Sequence, residues 1–120
     1  MSREKRRDPR FESLQKLWCV GQPRPSAEAR NMSRSGMFIV TTEPAQVGDE
    51  MKISFEGDEG TIEVKAEVMW RGPAEGTEKA GLGLRIVGFD QGADAYEKFV
   101  ERSLEAQGIE DDDDEPTDAK

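Results

Sequence analysis

"MKISFEGDEGTIEVKAEVMW", residues 51 to 70, decides the fold class. Met51, Ile53 and Phe55 alternate with Lys52 and Ser54, and Ile62, Val64, Ala66, Val68 and Trp70 alternate with Glu63, Lys65, Glu67 and Met69. Successive side chains of a strand point to opposite faces, so a period of two lines up the apolar residues on one face and the charges on the other. Between the two runs, Glu56 to Gly60 supplies the Gly and Asp residues of a tight connection. The stretch therefore reads as a half-buried antiparallel hairpin. By parity Trp70 belongs on the buried face, although at a strand end its indole could instead stack on a planar ligand.

Outward from this hairpin, further strands are expected at Lys16 to Val20, Ala27 to Arg30, Met37 to Thr41 and Ala80 to Val87. Short strands at fairly regular spacing suit a small barrel or sandwich. After Gly92 the period changes. Tyr96, Phe99, Val100, Ser103 and Leu104 fall at helical spacing, with Glu97, Lys98, Glu101 and Arg102 on the other face. One amphipathic helix, ending by Gly108, is expected to close the domain.

A chain of 120 residues can bury one modest core. Its apolar fraction of 34% against 36% charged would suit disorder if the charge were evenly spread. It is not: most of the net charge of −9 lies from Glu105 onward, whereas "MSREKRRDPR" sets Arg3, Lys5, Arg6, Arg7 and Arg10 against only Glu4 and Asp8. The expected organisation is a flexible basic arm over residues 1–10, a barrel plus helix over 11–106, and a disordered acidic tail over 107–120. The single Cys19 excludes an intramolecular disulfide, and no charged and apolar leader opens the chain, so a cytoplasmic location is expected. Apolar runs such as "MFIV" are far shorter than the roughly 20 residues that span a bilayer, so no membrane insertion is expected. In that compartment the formal glycosylation sequon Asn31-Met32-Ser33 has no role.

Catalytic chemistry finds few candidates. There is no His, no phosphate-binding GxxxxGK[ST] loop, no GxSxG elbow and no Cys cluster for zinc. "GLGLRIVG" fails as a dinucleotide fingerprint because Ile86 stands where the third Gly is required. The acidic run lacks the spaced ligands and central Gly of a calcium loop. The expectation is a protein that is not an enzyme and holds neither metal nor cofactor. Two features remain. In "KRRDPRF", Arg6 and Arg10 are four apart, and Pro9 disfavours helix at Asp8, so the guanidinium groups ride on an extended segment. Arg suits bidentate contact with phosphate oxygens or the O6/N7 edge of guanine. In "RNMSRSGMFIV", residues 30 to 40, Asn31 and Ser33 can bond nearby backbone in a turn, and Gly36 permits positive φ or close approach of another group. Taken singly, each feature also fits an ordinary basic terminus or an ordinary turn.

Taken together, RxxxR (Arg6, Arg10), a gap of about twenty residues, [D/N]xSxxG (Asn31, Ser33, Gly36), then "EVMW", "GLGLRI" and a helix resemble the PilZ domain family over roughly Lys5 to Leu104. The resemblance implies a mainly β fold, a six- or seven-stranded antiparallel barrel with one C-terminal helix, that binds the bacterial second messenger cyclic di-GMP. It implies that Arg6 and Arg10 clamp guanine edges and phosphates and that Asn31, Ser33 and Gly36 line the guanine pocket. Lys5 and Arg7 are supplementary cationic candidates, and Trp70 is a candidate base-stacking residue. The Pro-interrupted connection at Pro23 and Pro25 and the Trp18-Cys19 pair depart from the commonest pattern.

The expected role is a stand-alone receptor in bacterial motility or biofilm regulation that orders its arm on binding and so alters contact with an unidentified protein partner. One alternative is a PilZ-type interaction module in motility or pilus function that binds no nucleotide. Another, a barrel that binds single-stranded nucleic acid, is disfavoured by the net −9, since such binding needs many phosphate contacts along a basic groove.

Overall fold

The computed structural model describes residues 8–20, 22–74, 76 and 79–109. Its elements are β1 (Phe11–Glu12), β2 (Lys16–Cys19), β3 (Ala27–Met32), β4 (Gly36–Thr41), β5 (Glu50–Gly57), β6 (Gly60–Pro73), β7 (Ala80–Gln91) and α1 (Ala93–Ala106). Strands β3, β2, β5, β6, β7 and β4 pair in that order, and β4 pairs back to β3, closing a six-stranded antiparallel barrel. β1 is the additional strand. It joins the edge of β3 already shared with β2, through the pairs Phe11 with Met32 and Glu12 with Asn31. Closure leaves the barrel strands without the free row of backbone donors and acceptors that an open sheet presents.

The alternation in residues 51–68 operates as read. Ile53, Phe55, Ile62, Val64 and Val68 are buried, and they meet Leu17, Met32, Ile39 and Leu82 from the other strands in one core. Full burial of each such side chain stabilises the fold by about 1.5–3 kcal/mol against exposure. The connection is a two-residue turn, Asp58 and Glu59, closed by the pair of Gly57 with Gly60. Gly60 has φ 126°, a region open to glycine.

Parity fails at Trp70. Val68 pairs with Leu84, but Trp70 pairs with Gly83, so β6 carries one residue more than β7 there. Such a bulge shifts the face of every later side chain. Trp70 is 49% exposed, and the expectation that it packs in the core is corrected. Another irregularity lies in β3, where Ala29 pairs with Ile39 and Asn31 with Phe38. The strand continues through it to Met32, so Asn31 belongs to a strand and not to the turn expected for it.

Helix α1 begins after Gly92, whose φ is 81° and whose added Cβ would lie 2.6 Å from the Thr61 carbonyl oxygen. Its buried residues are Ala95, Tyr96, Val100 and Leu104. Phe99 packs edge-on against Phe55 and Phe11, with ring centroids 5.2 and 5.9 Å apart, and Tyr96 lies 5.4 Å from Phe89. The C-terminus closes with Gly108 at φ 70°, bonds from Gly108 N–H to Glu105 O and from Ile109 N–H to Leu104 O, and Ile109 packed on the core. This is a Schellman closure, which satisfies carbonyls the helix would otherwise leave unpaired. Beyond it, the expected acidic tail lies outside the described residues from position 110.

Candidate functional site

Between β3 and β4 the chain reverses through Ser33, Arg34 and Ser35. Ser33 N–H donates to Gly36 O at 2.8 Å, and the Ser33 hydroxyl oxygen accepts from the N–H groups of Ser35 (3.3 Å) and Gly36 (3.2 Å). A short hydroxyl side chain can bond local backbone in this way, which is why Ser recurs in such turns. The turn is held from outside as well. Ile86 N–H donates to Ser35 O at 2.8 Å, and the Tyr96 hydroxyl donates to Ser33 O at 2.6 Å. Arg34 Nε lies 2.8 Å from Glu97 Oε2, a second tie between the turn and α1.

Gly36 is required by space. A Cβ there would lie 2.4 Å from the Leu84 carbonyl oxygen, so any side chain would push β4 off β7. Of the two sequence readings, close approach is the operative one.

The arm meets this turn through Asp8 and the adjoining strand β3 through Arg10. The Ser33 hydroxyl donates to Asp8 Oδ2 at 2.8 Å, and the Ser35 hydroxyl donates to the same oxygen. Arg10 Nη1 donates to Asn31 Oδ1 at 2.6 Å. Burial raises the Tyr96 phenol well above the usual tyrosine range; the Asp8 charge adds to the rise and the Arg10 charge opposes it.

Arg10, Asn31, Ser35, Phe38, Met69 and Arg85 line an open cleft of about 440 Å³ whose floor includes Gly36 and Gly83. Arg85 is paired with Glu67 at 2.6 Å. Beside the cleft, Trp70 and Phe38 form a tilted pair with centroids 5.9 Å apart. Both rings lie close on glycine backbone: a Cβ would come within 2.5 Å of Trp70 at Gly72 and within 2.6 Å of Phe38 at Gly81.

Of the expected site residues, Arg10, Asn31 and Gly36 come together at this cleft. Ser33 is fully buried beneath Asp8 and does not line it. Trp70 borders it through Phe38. Arg6, Lys5 and Arg7 lie outside the described residues. Sequence reasoning missed Asp8, Ser35, Phe38, Met69, Arg85 and Tyr96. Asp8 alone left a signal, as the acid inside a basic run. Among the described residues there is no group of three or more His, Cys, Asp or Glu side chains that could hold a metal ion. Among the same residues no helix is long and apolar enough to cross a membrane.

A closed antiparallel barrel, with a polar turn and an arginine set at the rim of a cleft, defines a small β-barrel domain with a candidate ligand site. The family model of the PilZ domain matches residues 4–105, and the chain belongs to the PilZ domain family, a family of cyclic di-GMP receptors. Among solved structures, the chain is similar to the inhibitor of motility MotI/DgrA of Bacillus subtilis, with TM-score 0.67 and 17% identity over 87% of this chain and 52% of that one. It thus spans about half the length of that protein. It is also similar to the PilZ domain of YcgR from Escherichia coli, solved with c-di-GMP, with TM-score 0.58 and 15% identity over 88% of this chain and 98% of that one. A comparison with curated proteins finds no match.

Proposed function

We propose that the chain binds cyclic di-GMP at the cleft between the β3–β4 turn and β7. The observation that carries this reading is the meeting of the Arg10 guanidinium with the Asn31 carboxamide at the cleft rim, 2.6 Å apart. The ligand has two phosphate charges and two guanines. It calls for cations, for planar donors toward guanine O6/N7, and for acceptors toward guanine N1–H and N2–H. Arg10 and Asn31 are groups of those kinds, and they bond each other at the cleft rim. Binding then exchanges one internal hydrogen bond for several to ligand. Arg6 completes the clamp, with Lys5 and Arg7 adding charge. Gly36 leaves room for close approach, and Ser33 acts by holding the turn. The half-exposed Trp70 indole offers a face on which a guanine can stack. The PilZ domain of YcgR, whose structure holds c-di-GMP, supports the reading through a shared fold.

The relay to an as yet unidentified protein partner, in the motility context that the similar MotI/DgrA suggests, is ordering of the basic arm over bound ligand. Ligand neutralises the mutual repulsion of Arg3, Lys5, Arg6, Arg7 and Arg10 and creates a surface absent from the free protein.

Calorimetric titration tests the reading, with GTP and an oligonucleotide as controls. A dissociation constant in the low micromolar range or below, about −8 kcal/mol, is expected. Arg10→Ala should weaken it by roughly 1–3 kcal/mol, the worth of a bidentate contact to a base. Absence of heat at ligand concentrations on the order of 100 µM would replace this reading with that of a PilZ-type interaction module that binds no nucleotide.

A further inference from the structure

We infer that Asp8 is a positioning residue that pins the RxxxR segment to the barrel and so sets Arg10 at the cleft before any ligand arrives. The inference rests on the reading of the cleft as the ligand site, and it assigns a role to an acid that the nucleotide chemistry alone would not call for. A carboxylate beside a dianionic ligand is, by charge, a liability. The geometry gives it a use. One oxygen of Asp8 accepts from two hydroxyls, Ser33 and Ser35, at the two ends of the turn. Hydrogen bonds to an ionised acceptor are among the stronger kinds. The partner turn is itself fixed by β7 through Ser35 O and by α1 through Ser33 O, so the carboxylate is attached to a rigid mount.

Asp8 stands two positions from Arg6 and two from Arg10 in the sequence. Two residues of extended chain reach no more than about 7 Å, so a pin at Asp8 limits how far Arg10 can stray. Pro9 stiffens the link by fixing φ. The bond from Arg10 to Asn31 is the visible result. Holding Asp8 and Arg10 in place lowers the ordering entropy that binding must overcome.

The test separates positioning from charge by the sign of the effect. Removing an anion next to a dianionic ligand should tighten binding if charge were the only influence. In the full chain, Asp8→Ala is expected to weaken cyclic di-GMP binding by about tenfold. Asp8→Asn keeps a carboxamide oxygen able to accept from both hydroxyls, so its affinity should stay within about twofold of wild type. Tighter or unchanged binding by the Ala variant, or an Asn variant as weak as Ala, overturns the inference. A ligand-free readout keeps it separate from the functional reading: trypsin should cut after Arg10 on the order of ten times faster in Asp8→Ala than in wild type or Asp8→Asn, because cleavage follows local opening. If wild type binds no nucleotide, the functional reading fails, and equal digestion rates would dispose of the pin as well.

Discussion

Ser33 illustrates how a residue of the [D/N]xSxxG motif can act without facing the cleft. Its hydroxyl takes two backbone N–H groups and gives its hydrogen to Asp8, and the side chain is fully buried. What it supplies is the shape of the turn. Gly36 works at the same scale, by having no side chain where the Leu84 carbonyl passes 2.4 Å from the position of a Cβ. Gly36→Ala is therefore expected to destabilise the protein by roughly 1–3 kcal/mol, the range for an overpacked site that cannot relax freely. Denaturant unfolding with unchanged slope would measure it. A variant as stable as wild type would mean that β4 and β7 can separate locally without penalty.

At the scale of elements, α1 is coupled to the site through Tyr96. The phenol is buried, donates to Ser33 O at 2.6 Å, and joins the ring cluster of Phe55, Phe89 and Phe99. Tyr96→Phe keeps the ring and removes the donor, leaving the Ser33 carbonyl without it. The expected loss is about 1–3 kcal/mol at neutral pH. The pH dependence has a definite sign. Burial favours the neutral phenol, so the folded state holds its proton above the unfolded value of about 10. The stabilisation is fully present below pH of about 10 and is lost as pH rises beyond it toward the folded pKa. Unfolding free energies of wild type and Tyr96→Phe compared up to pH 11 should converge in the alkaline range and stay parallel below it. Parallel behaviour throughout would show that the phenol ionises as easily in the fold as outside it. The bulges act at this scale too. The one after Val68 turns Trp70 outward beside Phe38, and the one after Ala29 carries Asn31 within β3 to face Arg10.

For the whole molecule, the separation of charge is the dominant feature: a basic opening segment over residues 1–10, a moderately acidic barrel, and a strongly acidic end from Glu105 onward. Amide exchange tests the proposed relay at this scale. On adding cyclic di-GMP, protection should rise for residues 6–7, ahead of the Asp8 pin, and for 31–36, and stay flat beyond Gly108. Backbone ordering opposes binding by roughly 1–2 kcal/mol per residue, so only the few residues touching ligand should become protected. Equal protection with and without ligand would rule out the switch even if titration confirmed binding.

How much of this was legible in the sequence depends on the range over which each signal acts. The hairpin of residues 51–68 and the helix from Ala93 could be read directly, because alternation and helical spacing are local periodicities that burial of one face enforces. The RxxxR and [D/N]xSxxG residues could be picked out for a related reason: Arg, Asn, Ser and Gly carry their chemistry with them wherever they stand. The sequence by itself thus determined a small antiparallel barrel with a closing helix and the candidates for its site. Only the tertiary structure decided which candidates face the cleft. The outward turn of Trp70 requires a count of residues on a neighbouring strand, the burial of Ser33 requires Asp8 from 25 positions away, and the anchoring of its carbonyl requires Tyr96 from 63 positions away. Register across a closed sheet and hydrogen bonds between distant segments are settled jointly by all the strands that share the core, so no local periodicity carries them.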